Sequence, residues 1–523
     1  MDATMEATRN GTPPAAGARS RWWALGALVP AVVAVGVDGT VLSVALPTLA
    51  GALRASTDQL QWFVAAYTLV FAAAMLPAGL LGDRFGRKKL LLGALALFGL
   101  ASLGCSYAGS AGAFIAARAV LGLAAATVLP LSLAVLPVLF SHEERPKAIA
   151  LWAGASLVAY PIGPILGGWL LTHFRWGSVF LINVPVVVIA LIAVGALLPE
   201  SRSAARPRLD LAGVLASSAG LSGLTYGVIE AGQRGWGDPG ALAAMLAGVL
   251  VLAGFVLWER RVGQPLVDLA LFRSAGFTAG TLLASMVSFA MVGVLFAMPQ
   301  YFQAVGGVDA MGSGLRLLPL IGGMVVGLAA GNRLAPRTDA KVTVALGFAL
   351  LAGGLAAGAT TNVRSGDGFA AAWTAVCGLG LGVGLPAAMD AALGALSAER
   401  SGVGSALIQA LRMVAGTIGV ALLGTVLNAG YRGRLDLAGL PAPAADAVRQ
   451  SVATGVAVAR QLGSAALLDA VRAAFVHGMD AMLWVSGGAA ALGVVVALAF
   501  LPGRARGTAA ERAKVEEEAI VAG

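Results

Sequence analysis

The chain has 523 residues, 58% of them hydrophobic and only 12% charged, with a mean hydropathy of +0.85 and a net charge of +9. Soluble domains carry about 25% charged residues, so this composition excludes a soluble enzyme or binding module and points to a protein that crosses a membrane many times. The basic residues are scattered among connections rather than gathered in one patch, which excludes a nucleic-acid surface as their reason. Cys105 and Cys377 both lie in apolar runs and His142, His173 and His477 stand apart, so neither a disulfide framework nor a metal site is expected. No lysine follows a glycine, hence there is no Walker A loop, no nucleotide is expected, and active transport would have to draw on an ion gradient.

Residues 1–20 read as a disordered cytoplasmic tail. A helix needs about 20 apolar residues to cross a bilayer. Such runs follow at 22–46, 61–81, 90–107, 112–135, 148–171 and 177–198, with Trp22 and Trp23 placed for an interfacial belt. Further runs lie at 211–229 and 241–258, then at 277–301, 313–331, 342–360, 368–393, 403–428 and 479–501. The turn between the second and third runs packs Asp83, Arg84, Arg87, Lys88 and Lys89 together, and later connections carry Arg202, Arg206, Arg208, Arg260, Arg261 and Arg273. Lys and Arg in short loops are retained on the inner side, which places both termini in the cytoplasm. The expected fold is therefore an all-α polytopic membrane protein of fourteen transmembrane helices. Its expected parts are the tail 1–20, a six-helix bundle 21–200, two extra helices with linkers 201–262, a second six-helix bundle 263–502 and a tail 503–523. The second bundle is expected to include a long extracytoplasmic loop 429–478, either holding a short amphipathic helix near 444–459 or simply mobile.

The basic turn reads GLLGDRFGRKKLL at 79–91, and GNRLAPR at 331–337 echoes it between the second and third spans of the last six, with Asn332 standing where Asp83 stands. The first copy resembles the signature loop of the major facilitator superfamily. That resemblance implies two six-helix bundles from a duplicated ancestor with substrate bound between them, and a conformational latch made of Gly79, Asp83, Arg84, Gly86, Arg87 and Lys88. Asp83 is expected to meet the start of the thirteenth span near 401–404 and hold the inner gate closed in the outward-open state.

An ionisable residue inside a span costs about 2.5–3.5 kcal/mol even on insertion scales, so each is a functional candidate. Asp38, Arg118, Arg316, Asp390 and Arg412 qualify. Asp38 and Arg118 fall at similar depths, roughly 9–12 Å from the outer end, and are expected to meet, as a proton site whose affinity changes when Arg118 approaches or as a static pair. VDGTVLSVALP at 37–47 resembles the first-helix signature of fourteen-spanner drug:proton antiporters. Arg118 with Gly122 resembles the fourth-helix pattern linked to proton movement, with Leu121 where that pattern usually has glutamine. Ala159, Gly163, Pro164, Gly167 and Gly168 resemble the motif that marks exporters, Ala159 replacing its leading glycine, and 61–69 and 175–185 resemble the same exporters.

The resemblance implies proton-coupled efflux of lipophilic neutral or monocationic drug-like compounds by alternating access, with no cofactor beyond the proton gradient. It implies a monomer in the cell membrane whose partners are small lipophilic substrates and lipid, without nucleic acid or nucleotide. The alternative within this class is a dedicated self-resistance exporter for an endogenous antibiotic. A membrane-embedded enzyme or sensor would need a polar catalytic cluster or a soluble module, and neither is found. Soft and aromatic side chains suit a permissive cavity, so Trp62, Tyr67, Met286, Phe289, Met291, Phe296, Asp390, Gln409 and Arg412 are its candidates. Asp480 is read as lying at a span end, which leaves Asp38 as the sole deep acid and dications as poor substrates.

Overall fold

The computed structural model describes residues 18–501 except 141–143, 203–209, 264, 266, 336 and 397–400. The expected tail 503–523, residues 1–17 of the expected tail 1–20 and most of the linker around 203–209 lie outside the described residues, while residues 18–20 begin the first helix. Helices α1 (Ala18–Ala52), α2 (Thr57–Phe85), α3 (Arg87–Ser106), α4 (Ala111–Leu139), α5 (Arg145–His173), α6 (Ser178–Leu181) and α7 (Asn183–Leu197) come first. Then follow α8 (Leu211–Arg234), α9 (Pro239–Glu259), α10 (Ala275–Gln300) with a π turn at Tyr301–Val305, α11 (Ala310–Leu315), α12 (Leu318–Leu334), α13 (Ala340–Gly358) and α14 (Asp367–Leu393). The chain continues through α15 (Ser401–Gly433), α16 (Ala442–Gln450), α17 (Val452–Gln461) and α18 (Ala465–Phe500). Among the described residues, 12 helical stretches are long and apolar enough to cross a membrane. Helices α2 and α5, each of 29 residues, stand where the second and fifth spans were expected.

Two hydrophobic cores organise these helices. One gathers Leu46, Phe63, Phe98, Phe114 and Phe180 from α1 to α7, the other Phe277, Phe348, Trp373 and Phe475 from α10 to α18. The cores interlock, because Val44 belongs to the second while Phe296 and Val420 belong to the first. The inserted helices pack on each other along Gly220, Gly223, Gly227 and Gly248, where only a missing Cβ lets the backbones approach. Helix α8 also lies against both α2 and α15, and Thr425 Oγ1 donates to Val228 O at 3.2 Å. Helix α8 thus covers the seam where one bundle meets the other, and α9 packs on α8.

Residues 429–478 are not a loop. Helix α15 runs on to Gly433, α16 and α17 follow, and α18 starts at Ala465, where Ser464 Oγ accepts from Leu467 N at 3.2 Å. Hydropathy missed this start because Asp469, Arg472, His477 and Asp480 interrupt the apolar pattern. Together α16 and α17 form a cap. Val448, Val452, Val456 and Ala459 are buried in the second core, Ala453 packs on the first, and Thr57 Oγ1 at the start of α2 donates to Gln450 O at 2.8 Å.

Candidate functional site

Asp38 on α1 and Arg118 on α4 meet inside the first bundle, Arg118 Nη1 lying 2.8 Å from Asp38 Oδ2, and they are 0% and 2% exposed. Arg118 Nε also donates to Phe63 O at 3.1 Å, and its guanidinium lies 4.3 Å from the centre of the Tyr67 ring. The second carboxylate oxygen accepts from Asn183 Nδ2 on α7 at 3.5 Å, and the same amide reaches Ser102 Oγ on α3 at 3.3 Å. A buried ion pair persists only when its remaining donors and lone pairs are satisfied, and this one draws on α2, α3 and α7 to do so. Asn183 and Ser102 were not singled out from sequence, since neutral polar residues barely change hydropathy. Asn183 does sit in the 175–185 stretch that carries the exporter resemblance.

The pair lies beside a seam of small residues. A Cβ on Gly163 would meet Thr40 and Val37 O of α1, and one on Gly167 would meet Val41. Gly168 instead faces Ala310 and Met311 of α11, while Gly314 of α11 faces the Pro164 carbonyl. The motif therefore seats α5 on α1 with one glycine set and against the second bundle with the next. Ala159, at the leading position, is buried.

Among the described residues, the hydrogen bonds that join the two bundles lie away from the basic turn. They are Gln303 Nε2 to Val44 O at 3.0 Å, Thr57 Oγ1 to Gln450 O at 2.8 Å, Gln61 Nε2 to Ala421 O at 3.4 Å and Thr417 Oγ1 to Thr68 Oγ1 at 2.7 Å. From Thr68 to the end of α2 is a further ~25 Å of helix with no described hydrogen bond to the other bundle. The hydrogen bonds described between the bundles thus gather toward the cap end.

At the turn, Gly86 adopts φ +115, a conformation that side-chain-bearing residues rarely take. Its missing Cβ makes room for Glu200, whose carboxylate accepts from Lys88 N at 3.2 Å and Lys89 N at 3.3 Å. Glu200 thereby caps α3 from the end of the sixth span, a favourable place for an anion at a helix N-terminus. Arg87 N donates to Ser201 O at 2.9 Å and Lys88 Nζ to Gly195 O at 2.7 Å, and Arg84 lies over Phe85. Gly82 meets Leu131 of α4, whereas the space beside Gly79 is open. The side chains of Asp83 and of residues 401–403, the two sides of the expected latch, lie outside the described residues.

In the second bundle Arg412, 7% exposed, donates from Nε to Ser288 Oγ at 3.0 Å and lies against Gln409 and Met389. The other cavity candidates take the following places. Trp62 packs on Val228, Ile229 and Ala421 at the inserted helices, the Tyr67 ring is taken by Arg118, and Phe296 is buried in the first core, where the bundles interlock. Met286, Phe289 and Met291 are half-buried against the second core, Phe289 facing Gly419 of α15. Asp390 is exposed near the end of α14. Asp480, read from sequence as a span-end residue, lies on α18 two residues beyond Gly478, which packs against Leu427 and Tyr431 near the end of α15.

A charge pair sealed within one of two interlocked helical bundles, beside glycine seams that let the bundles meet, is the interior of a membrane transporter, not of an enzyme. The profile of the Major Facilitator Superfamily matches residues 28–420, and the chain belongs to that family as a multi-pass protein of the cell membrane. It is 34% identical over 500 residues to the tetracenomycin C resistance and export protein of Streptomyces glaucescens, covering 93% of each chain. It is 30% identical over 478 residues to the methyl viologen resistance protein SmvA of Salmonella typhimurium, covering 89% of this chain and 95% of that one. A solved bacterial homolog of the human lysosomal transporter Spinster, inward-facing and unoccupied, is similar with a TM-score of 0.68 at 18% identity, over 93% of this chain and 98% of that one. At that identity the likeness speaks for the fold.

Proposed function

We propose that the chain exports lipophilic drug-like compounds in exchange for protons, with Asp38 and Arg118 as the coupling pair and the proton gradient as its sole energy source. The carrying observation is that Arg118 is shared between Asp38 on α1 and the Phe63 carbonyl and Tyr67 ring on α2. A proton arriving at Asp38 cancels the charge that binds Arg118 to α1, leaving the guanidinium to its α2 partners. Helix α2 is also the helix that joins the second bundle, through Gln61 and Thr68. Protonation is thereby linked to the contact that closes the cap end. With fourteen spans and both termini in the cytoplasm, the basic turn faces inward and the cap outward, so the arrangement described is closed to the outside.

Neutral and monocationic compounds are the first substrates to expect. Against the expectation that dications are poor substrates stands the name of one relative, since methyl viologen is a dication. A dedicated antibiotic exporter is the second reading, supported by the relative named for tetracenomycin C export. The test is export of a fluorescent monocation, and of its matched dication, by wild type and Asp38→Asn with and without a proton ionophore. Ionophore-sensitive export by wild type and its loss in the Asn variant are expected. Ionophore-sensitive export retained by Asp38→Asn would remove this pair from the proton path.

A further inference from the structure

The inside of the second bundle holds a carboxyl group that the coupling pair does not use. Asp480 is flanked on α18 by Val476, Met479, Met482 and Leu483, all buried in the second core. Its Oδ1 is shut off from solvent and has no hydrogen-bond partner among the described residues. An ionised oxygen is unfavourable in that condition, whereas a carboxyl group that gains and loses a proton as its cover opens and closes has a use for it.

The cover is built from specific contacts. Pro299 lacks the N–H that would continue the α10 ladder, and the π turn Tyr301–Val305 follows it; such turns are rare and recur at functional sites. Arg472 Nε donates to Ala304 O at 3.2 Å, which seats α18 on that turn, and Tyr301 lies within electrostatic reach of both Asp480 and Asp367. Half a turn along α18 from Asp480, Gly478 is pressed against Leu427 and Tyr431. The Tyr431 hydroxyl in turn donates to Val448 O at 2.8 Å, within the cap. The cap is thus held, through Tyr431, against the same stretch of α18 that carries Asp480.

We infer that Asp480 is a second proton-exchanging group of the transport cycle, reached from the outer medium when the α16 and α17 cap lifts. The proton passes from water to the Asp480 carboxylate in the open state and is retained there while the cap is closed. The inference rests on the proton-coupled reading proposed above. The titratable and charged groups on the elements packed around it are Tyr301 on the π turn, Tyr431 and Arg432 at the end of α15 and Arg460 on α17. Helix α13 offers only Lys341, at its far end, and α18 itself adds Asp469, Arg472 and His477.

The test uses the full chain in liposomes, comparing accumulation of a lipophilic dye driven by an imposed pH gradient with dye exchange at equal pH. For Asp480→Asn, gradient-driven accumulation should fall about tenfold, a coupling loss of ordinary size. Exchange should stay near wild type and the proton-to-substrate ratio should drop, and Asp480→Glu should restore both accumulation and ratio. If wild type itself ignores the pH gradient, proton coupling fails as a whole. If wild type responds and Asp480→Asn accumulates dye equally well, this inference alone is overturned. It is overturned too if the Asn and Glu variants lose exchange and thermal stability together, which would mark Asp480 as merely structural.

Discussion

The two bundles descend from one pattern but treat charge differently. In the first, Asp38 and Arg118 neutralise each other inside a shell supplied by their own bundle. In the second, the partners described for Arg412 are neutral, namely Ser288, Gln409 and Met389, and Asp480 keeps an unpartnered oxygen. The first arrangement is one in which a proton must compete with an arginine. The second leaves the Asp480 oxygen without a partner among the described residues. The repeated turns differ in the same sense: Gly82 meets Leu131 of α4 as Gly331 meets Val383 of α14, yet Asn332 replaces Asp83 in the second copy.

The sharpest way to break this comparison is to remove one arginine at a time. Arg118→Leu leaves Asp38 buried and unpaired and should cost about 3–5 kcal/mol. Arg412→Leu removes the bonds to Ser288 and Gln409 but leaves no described carboxylate unpaired, and should cost less. Thermal unfolding of the purified variants measures both, and equal losses would erase the distinction. Replacing both members of the pair, Asp38→Asn with Arg118→Gln, should recover stability without recovering coupling.

A smaller effect is expected at the seam between the bundles. Gly168→Val pushes a side chain into the backbone of Ala310 and Met311 and should slow transport about tenfold, equivalent to ~1.4 kcal/mol, by hindering closure at the cap end. Gly79→Ala, which meets open space, should transport like wild type. Substrate exchange rates compare the two.

The smallest effect concerns the repeated turns. A carboxylate at a helix N-terminus gains about 0.3–2 kcal/mol, so Asp83→Asn should raise labelling of cysteines introduced at the turn end, and Asn332→Asp should change it less. Unaltered labelling in Asp83→Asn would dismiss the latch.

Charge against an apolar background made Asp38, Arg118 and Arg412 visible in the sequence, and small residues at fixed spacing made the α5 seam visible. What stayed hidden was chemistry that hydropathy does not weigh. Asn183 and Ser102 complete the pair's shell without altering the apolar pattern, and Glu200 reaches the turn from a distant stretch of chain. The start of α18 was displaced because its first turns are amphipathic, and that displacement hid the cap.

The role of Asp38 is tested most directly by proton release on substrate binding, followed with a pH indicator in weakly buffered detergent solution. If substrate and proton compete through the ion pair, wild type releases protons as substrate is added, and Asp38→Asn releases about one fewer per substrate bound. Identical release from the two proteins would contradict coupling at Asp38.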